Sequence, residues 1–305
     1  MATGFFERRR IMTLREELIN EGYPENIASE AEVKYEKAKE TELMDFCARE
    51  AELYRKIGAK YDLKERLAEC KEVSQRTGVH RFFADFLLVR ALFPVLSELY
   101  REKGLDESFI LGVRADLRAK CIECFNVKGK VGTFVTEWYR GFFSLRLFPI
   151  GRLQYEMYEV PFYEEKNEDG INYSGRKAIN MHIPSLGKLD IGDVKASIAD
   201  AAKFFAGEFE GEDEMLFMCY SWLLFPAHRE MLPPDSGICK FMDLFETVHV
   251  RESRSGSDLW RIFNTDDFSD LSKLDSSTAL RRGYIKLLGE GKRSGGALGI
   301  IRIKK

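Results

Sequence analysis

His182 is the residue whose type and place most directly permit chemistry. It stands in "KAINMHI", where alternation puts Asn180 and His182 on one strand face and Ile179, Met181 and Ile183 on the other. An imidazole there titrates near neutrality and can take a proton from a reacting group. The plainer alternative is a structural histidine bonded to a neighbouring strand. Glu156, in "GRLQYEMY", shares a strand face with Gln154 and Tyr158. A carboxylate near the centre of a sheet can have its pKa raised and act as a base. It can equally pair with Arg152 or Arg146 and take no part in chemistry. Tyr220 and Ser221, in "CYSWLL", carry hydroxyls able to protonate a leaving group, although both are ordinary strand residues. Without flanking glycines, Ser221 is not a nucleophile elbow. No HExxH, P-loop or paired CxxC is present, so metal-dependent and nucleotide-hydrolysing chemistries are not expected.

A second candidate is the stretch "NMHIPSLGKLDIGDVKASI", which reads as strand, tight loop and helix start. Backbone N–H groups at such a loop and helix end suit an anion, with Ser185, Gly187 and Lys188 as its holders. Asp190 reads as an N-cap, and Asp193 falls at the capping-box position. Both would compete with an anion for the same N–H groups and repel it. The glycine-rich, basic "GKRSGGALG", Gly291 to Gly299, is an alternative anion loop if it folds back over the site, or otherwise a plain surface loop.

The elements that must position these residues follow from periodicity. Leu43, Phe46, Cys47, Ala51, Tyr54 and Ile57 recur at helical spacing, as do Phe82, Phe86, Val89, Phe93, Leu96 and Tyr100. Pro94 is expected to kink or split the second helix. Gly58, Gly78, Gly104 and Gly112 fall near expected helix ends. His80 sits near a helix start with no visible partner. Arg118, Lys120, Lys128 and Lys130 read as a solvated face. A last helix is expected over Phe134 to Phe143. After it come "SLRLFPIGRLQYEMYEV", with Pro149-Ile150-Gly151 as its turn, then "KAINMHI", the amphipathic "DVKASIADAAKFF", the apolar "MLFMCYSWLLF", and short strands at "ETVHVRES", "LWRIFN" and "LGIIRI". The fold class is therefore α+β or α/β, a helical portion followed by a mixed-sheet portion.

Composition sets the outer limits. The chain has 305 residues, 45% hydrophobic and 32% charged, enough for one large domain or two ordinary ones. A net charge of −3 points to no nucleic-acid partner. No apolar run is long enough to span a membrane, and Arg8-Arg9-Arg10 is not followed by a signal-type segment. Six cysteines without a second CxxC suit the cytoplasm, and Cys121 and Cys124 read as buried thiols on one helix face.

"LFPIGRLQYE", "INMHIP", "CYSWLLFP" and "LPPDSGICKF", taken in order, resemble a group of bacterial acyltransferase-domain proteins. In that group a helical N-terminal domain precedes a GNAT-like C-terminal domain. The resemblance implies a division into residues 1–143 and 144–305. It also implies acyl-CoA as co-substrate, with no metal, and transfer to an unidentified small-molecule amine by direct attack in a ternary complex. The pantetheine arm would pair with the strand Lys177 to Ile183, placing Ile183 against the cofactor. Its phosphates would meet the loop Pro184 to Leu189, before the helix Ile191 to Phe205, and the second strand would run from Met215 to Leu224. His182 or Glu156 would be the base, and Tyr220 or Ser221 the acid. The alternative is a non-catalytic GNAT-like module that has lost CoA and binds a ligand or partner in the same cleft. Asp190 and Asp193 are the residues that favour it.

Overall fold

The structure, a computed structural model, describes residues 12–167, 169–253, 256 and 258–304. Arg8-Arg9-Arg10 lies outside the described residues. Helices dominate the first half: α1 Leu14–Asn20, α2 Glu25–Ala38, α3 Glu42–Ile57, α4 Leu63–Thr77, α5 Arg81–Glu102 and α6 Glu107–Lys128. A 3-10 turn at Thr136–Tyr139 and the short helix α7, Arg140–Phe143, follow.

Both expected stripes are buried, with Leu43, Phe46, Cys47 and Tyr54 on α3 and Phe86, Val89, Phe93, Leu96 and Tyr100 on α5. His80 is the N-cap of α5, accepting the Phe82 N–H at 3.3 Å. Helix α5 runs unbroken through Pro94. An interior proline costs about 3 kcal/mol, and the buried residues on both sides of it, Phe93 and Val95 included, outweigh that. Gly58 and Gly78 are helix C-caps and Gly104 follows α5, but Gly112 lies inside α6. The thiols of Cys121 and Cys124 are buried, and burial pushes each up to about 12, so neither is a reactive thiolate. Lys120, expected on a solvated face, is buried and paired with Glu123 at 3.2 Å.

The second half is built on one mixed sheet. Its strands are β1 Leu147–Ile150, β2 Leu153–Glu159, β3 Lys177–His182, β4 Glu214–Ser221, β5 Glu246–Glu252 and β6 Gly295–Lys304. Helix α8, Ile191–Phe204, connects β3 to β4, and the helices α9 His228–Met231, α10 Gly237–Met242, α11 Leu259–Phe263 and α12 Ala279–Gly289 complete the chain. The spatial order is β1-β2-β3-β4-β6-β5, with β3 and β4 parallel and every other neighbouring pair antiparallel. Helix α8 covers one face, where Val194, Ile198 and Ala201 pack with Tyr155, Ile179, Met181, Phe217 and Cys219.

Three sequence expectations give way here. Pro149 and Ile150 belong to β1, and the turn falls at Gly151 and Arg152, where Gly151 has φ +61°. β1 is an edge strand, so Pro149 removes no ladder donor the sheet requires. "LWRIFN" is helix α11, because Leu259, Ile262 and Phe263 bury at helical rather than alternate spacing. The strand expected to reach Leu224 ends at Ser221, and Trp222–Leu224 is a 3-10 turn. No helix among the described residues is long and apolar enough to cross a membrane.

Gly112 sets how closely the helices dock on the sheet. A Cβ there would stand 2.6 Å from the Pro149 Cβ. Gly112→Val is therefore expected to lower stability by about 1–3 kcal/mol through overpacking. In contrast, Gly207→Ala, which meets nothing within 4 Å, should change it little. Urea unfolding of both variants checks this, and an unchanged midpoint for Gly112→Val would refute the close docking.

Candidate active site

β3 and β4 are paired at only two positions, Ile179 with Phe217 and Asn180 with Met218. Beyond them each strand stays with its outer neighbour: β3 with β2 through His182 opposite Gln154, and β4 with β6 through Ser221 opposite Ala297. The sheet therefore opens in its middle, and no residue of β3 after Asn180 has a partner in register on β4. A cleft of about 840 Å³ fills the opening, lined among others by Met181, His182, Ile183, Ser185, Tyr220 and Ser221.

His182 and Glu156 meet on the face away from α8. The His182 Nε2 lies 2.9 Å from the Glu156 Oε1, and Asn180 donates its Nδ2–H to the same oxygen at 3.2 Å. With Nε2–H donated to the carboxylate, the Nδ1 lone pair is left without a hydrogen-bond partner among the described residues, which is the tautomer a proton acceptor needs. The Trp138 ring, from the 3-10 turn, stands edge-on to the imidazole, with centroids 4.8 Å apart at 85°. The raised pKa expected of Glu156 is not found. Burial acts to raise it, but the hydrogen bond and charge of His182, with lesser help from Asn180 and Arg146, hold the carboxyl below its usual value. Its partner is thus His182, and Arg152 is engaged elsewhere.

Tyr220 and Ser221 come from β4 but turn opposite ways. By register, Tyr220 shares the face of Met218, Asn180 and His182, whereas Ser221 follows Cys219 to the α8 face. Tyr220 is 51% exposed in the cleft. The Ser221 Oγ accepts the Leu223 N–H at 3.2 Å and so caps the 3-10 turn.

The loop after β3 is organised by Arg152. Its guanidinium donates to the carbonyls of Pro184 at 3.0 Å, Gly187 at 3.3 Å and Lys188 at 3.5 Å. In a planar trans peptide the N–H points away from the C=O. Drawing in these three oxygens therefore turns the N–H groups of Ser185, Lys188 and Leu189 away from the arginine. None of these has a hydrogen-bond partner among the described residues. Gly187 holds φ +86°, a conformation that favours glycine. The Ser185 Oγ donates to Glu123 of α6. Asp190 caps α8 as expected, accepting from Gly192 at 2.8 Å and Asp193 at 3.1 Å. The loop thus keeps open donors, while the Gly192 and Asp193 N–H groups at the helix end are taken. In the stretch Gly291 to Gly299, Gly295 to Gly299 are part of β6 rather than a loop, and Lys292 is paired with Glu290 at 2.8 Å.

The sequence reading did not single out Trp138, Arg152, or the buried Asp116, which accepts from Tyr139 at 3.0 Å and Gln154 at 3.0 Å. Arg152 carried a signal in standing directly after the Gly151 turn. The other two are brought in by α6 and the 3-10 turn, far off in sequence. Among the described residues, no three His, Cys, Asp or Glu side chains gather as a metal site.

Because the folded Glu156 carboxyl lies below its unfolded value of about 4.3, its interaction with His182 adds stability above that pH and loses it as pH falls through the folded value. The stability difference between the natural protein and Glu156→Gln, from urea unfolding, should be full near neutrality and shrink as pH drops below about 4.3. A difference that grows on acidification would refute the pairing.

Residues 12–145 match the family described as the N-acyltransferase N-terminal domain, and residues 147–301 match the GNAT-like C-terminal domain. Two solved structures share the fold. One is an acyltransferase in complex with decanoyl-CoA and teicoplanin, 19% identical, with 95% of this chain and 87% of that one covered at a TM-score of 0.67. Another, an acyltransferase in complex with decanoyl-CoA, is 18% identical over 94% of this chain and 86% of that one, at a TM-score of 0.70. No curated protein matches the sequence. With a helical domain of one description leading into an opened mixed sheet of the other, the chain belongs to the GNAT-like acyltransferases with an N-acyltransferase N-terminal domain.

Proposed function

We propose that the protein transfers the acyl group of an acyl-CoA to a small-molecule amine by direct attack in a ternary complex. The parting of β3 and β4 beside the His182–Glu156 pair is the observation that carries this reading. The pantetheine arm takes the place of the missing strand, pairing with the open backbone of Met181 to Ile183. The phosphates lie over the N–H groups of Ser185, Lys188 and Leu189, beside Gly187, with the Lys188 side chain as the nearest cation. Decanoyl-CoA and teicoplanin in the related structures support a thioester donor and a small-molecule acceptor. The division of labour falls near Ser144, with the helical part walling the acceptor side of the cleft. The six free, buried cysteines support a cytoplasmic setting.

Chemistry proceeds by proton transfer around one nucleophilic step. The amine nitrogen attacks the thioester carbonyl carbon while its proton passes to His182 Nδ1, with Glu156 fixing the ring and stabilising the imidazolium. The C–S bond then breaks, and Tyr220, on the same face as His182, gives its proton to the departing thiolate sulfur. Ser221, turned to the other face and engaged in a cap, is less well placed for that role.

Calorimetry with acetyl-CoA and longer acyl-CoAs tests donor binding, and absence of heat with every thioester would refute it. Lys188→Glu should weaken binding strongly, whereas Asp193→Asn should tighten it or leave it unchanged. His182→Ala should lower kcat/KM by about 10²–10⁴-fold with little change in donor affinity. A variant retaining full activity would remove His182 from the mechanism.

A further inference from the structure

The loop that would hold the donor's phosphates is gripped from two sides, and one grip comes from the helical half of the chain. Ser185 Oγ donates to Glu123 Oε1 of α6 at 2.5 Å, while Lys120 Nζ donates to the other oxygen, Oε2, at 3.2 Å. The Glu123 and Lys120 side chains are 13% and 11% exposed, so solvent ions screen their charges little. A serine hydroxyl has one hydrogen to give. With that hydrogen on Glu123, Ser185 can offer an anion only its backbone N–H, which has no partner among the described residues. The oxygen of the same peptide, the Pro184 carbonyl, accepts from Arg152 at 3.0 Å. One end of that peptide unit is thus fixed by the sheet half, and the residue at its other end by the helical half. Together the two contacts set the direction of the N–H.

Building on the donor site proposed above, we infer that Glu123 is a positioning residue for acyl-CoA. It keeps the loop after β3 with its N–H groups turned out by bonding the Ser185 hydroxyl, not any atom of the donor. A carboxylate beside a phosphate would by itself oppose binding. Here Lys120 neutralises it from the opposite oxygen, and the hydrogen bond remains as its net effect. A hydroxyl-to-carboxylate bond is among the stronger protein hydrogen bonds, and this one joins residues 62 apart in sequence. Without it the Pro184–Ser185 peptide is held at its oxygen alone. The N–H can then turn about that contact, and a phosphate must order it on binding. The helical half thereby contributes to donor affinity without touching the donor.

Calorimetry with acetyl-CoA separates this role from two others by the sign of the effect. Glu123→Ala should weaken acetyl-CoA by about tenfold, and so should Glu123→Met, which keeps more of the side-chain bulk should alanine leave the protein unfolded. If the carboxylate acted only by its charge, either variant would remove a negative group from beside the phosphates and tighten binding. If the Ser185 hydroxyl were a phosphate ligand held back by Glu123, releasing it would tighten binding as well. Tighter or unchanged binding therefore overturns the inference. Glu123→Gln keeps an acceptor for the hydroxyl and should hold the natural affinity, and a loss as large as that of Glu123→Met would overturn it. Ser185→Ala should cost the same factor in the natural protein and almost nothing in Glu123→Met. Equal losses in both backgrounds would also overturn it. No heat with any acyl-CoA in the natural protein would remove the donor reading and this inference together, whereas heat that survives undiminished in Glu123→Met would remove the inference alone.

Discussion

The unpaired backbone in the middle of the sheet is the constraint around which this molecule is arranged. A parallel pair that ends after two positions leaves N–H and C=O groups exposed at the point where a sheet is normally most completely bonded. Such an opening is stable only if both halves are anchored elsewhere. On one side β2 holds β3 along its whole length, and on the other β6 holds β4 over eight consecutive pairs, from Glu214 to Ser221. Helix α8 spans the opening on one face and joins the halves through Tyr155, Met181, Phe217 and Cys219. On the opposite face, beside a second apolar cluster that includes Ala178 and Met218, the Glu156, Asn180 and His182 side chains gather.

The same opening explains why the loop after β3 is built as it is. With Asp190 occupying the first N–H groups of α8, the helix end by itself is a poor anion site. The compensation comes from Arg152, a cation with no carboxylate partner among the described residues. By collecting three carbonyl oxygens it polarises the loop and presents the opposite edge of each peptide outward. Positive charge on a side chain is converted into the direction of backbone dipoles. Asp190 can then stabilise α8 while the loop keeps its N–H groups open.

Much of this was legible in the sequence wherever a periodic signal was long. The α3 and α5 stripes, the alternation of "KAINMHI", the α8 pattern and the central position of "MLFMCYS" all follow from spacing. Short runs were not legible. "LWRIFN" has strand-type composition, yet it packs as a helix because Tyr284 and Leu274 offer it a groove rather than a ladder edge. The glycines of "GKRSGGALG" read as a loop, but they admit close neighbours to a strand: a Cβ at Gly295 would meet Phe225 at 2.6 Å, and one at Gly299 would meet Phe245 at 2.8 Å. The candidate site divides the same way. Alternation alone put Asn180 and His182 on one face of their strand and Glu156 on one face of another, with Gln154 and Tyr158. Which of them touch depends on the β2–β3 register, and Trp138 and Asp116 arrive through tertiary docking that no local pattern encodes.

The bond between Asp116 and Gln154 bears on how such a protein can vary. Its carboxylate comes from the helical half and its amide from the sheet half, and both are fully enclosed. An isolated half would present one of them to solvent, whereas a half joined to a mismatched partner would bury it alone, a cost of about 1–3 kcal/mol for the amide and more for the charge. The close approach of Gly112 to Pro149 crosses the same seam and admits no bulkier side chain. A mismatch between the two halves is therefore penalised at the seam itself. Substitutions at 112 and 149, or at 116 and 154, are thus coupled in their effect on stability, because each pair is in contact across the seam.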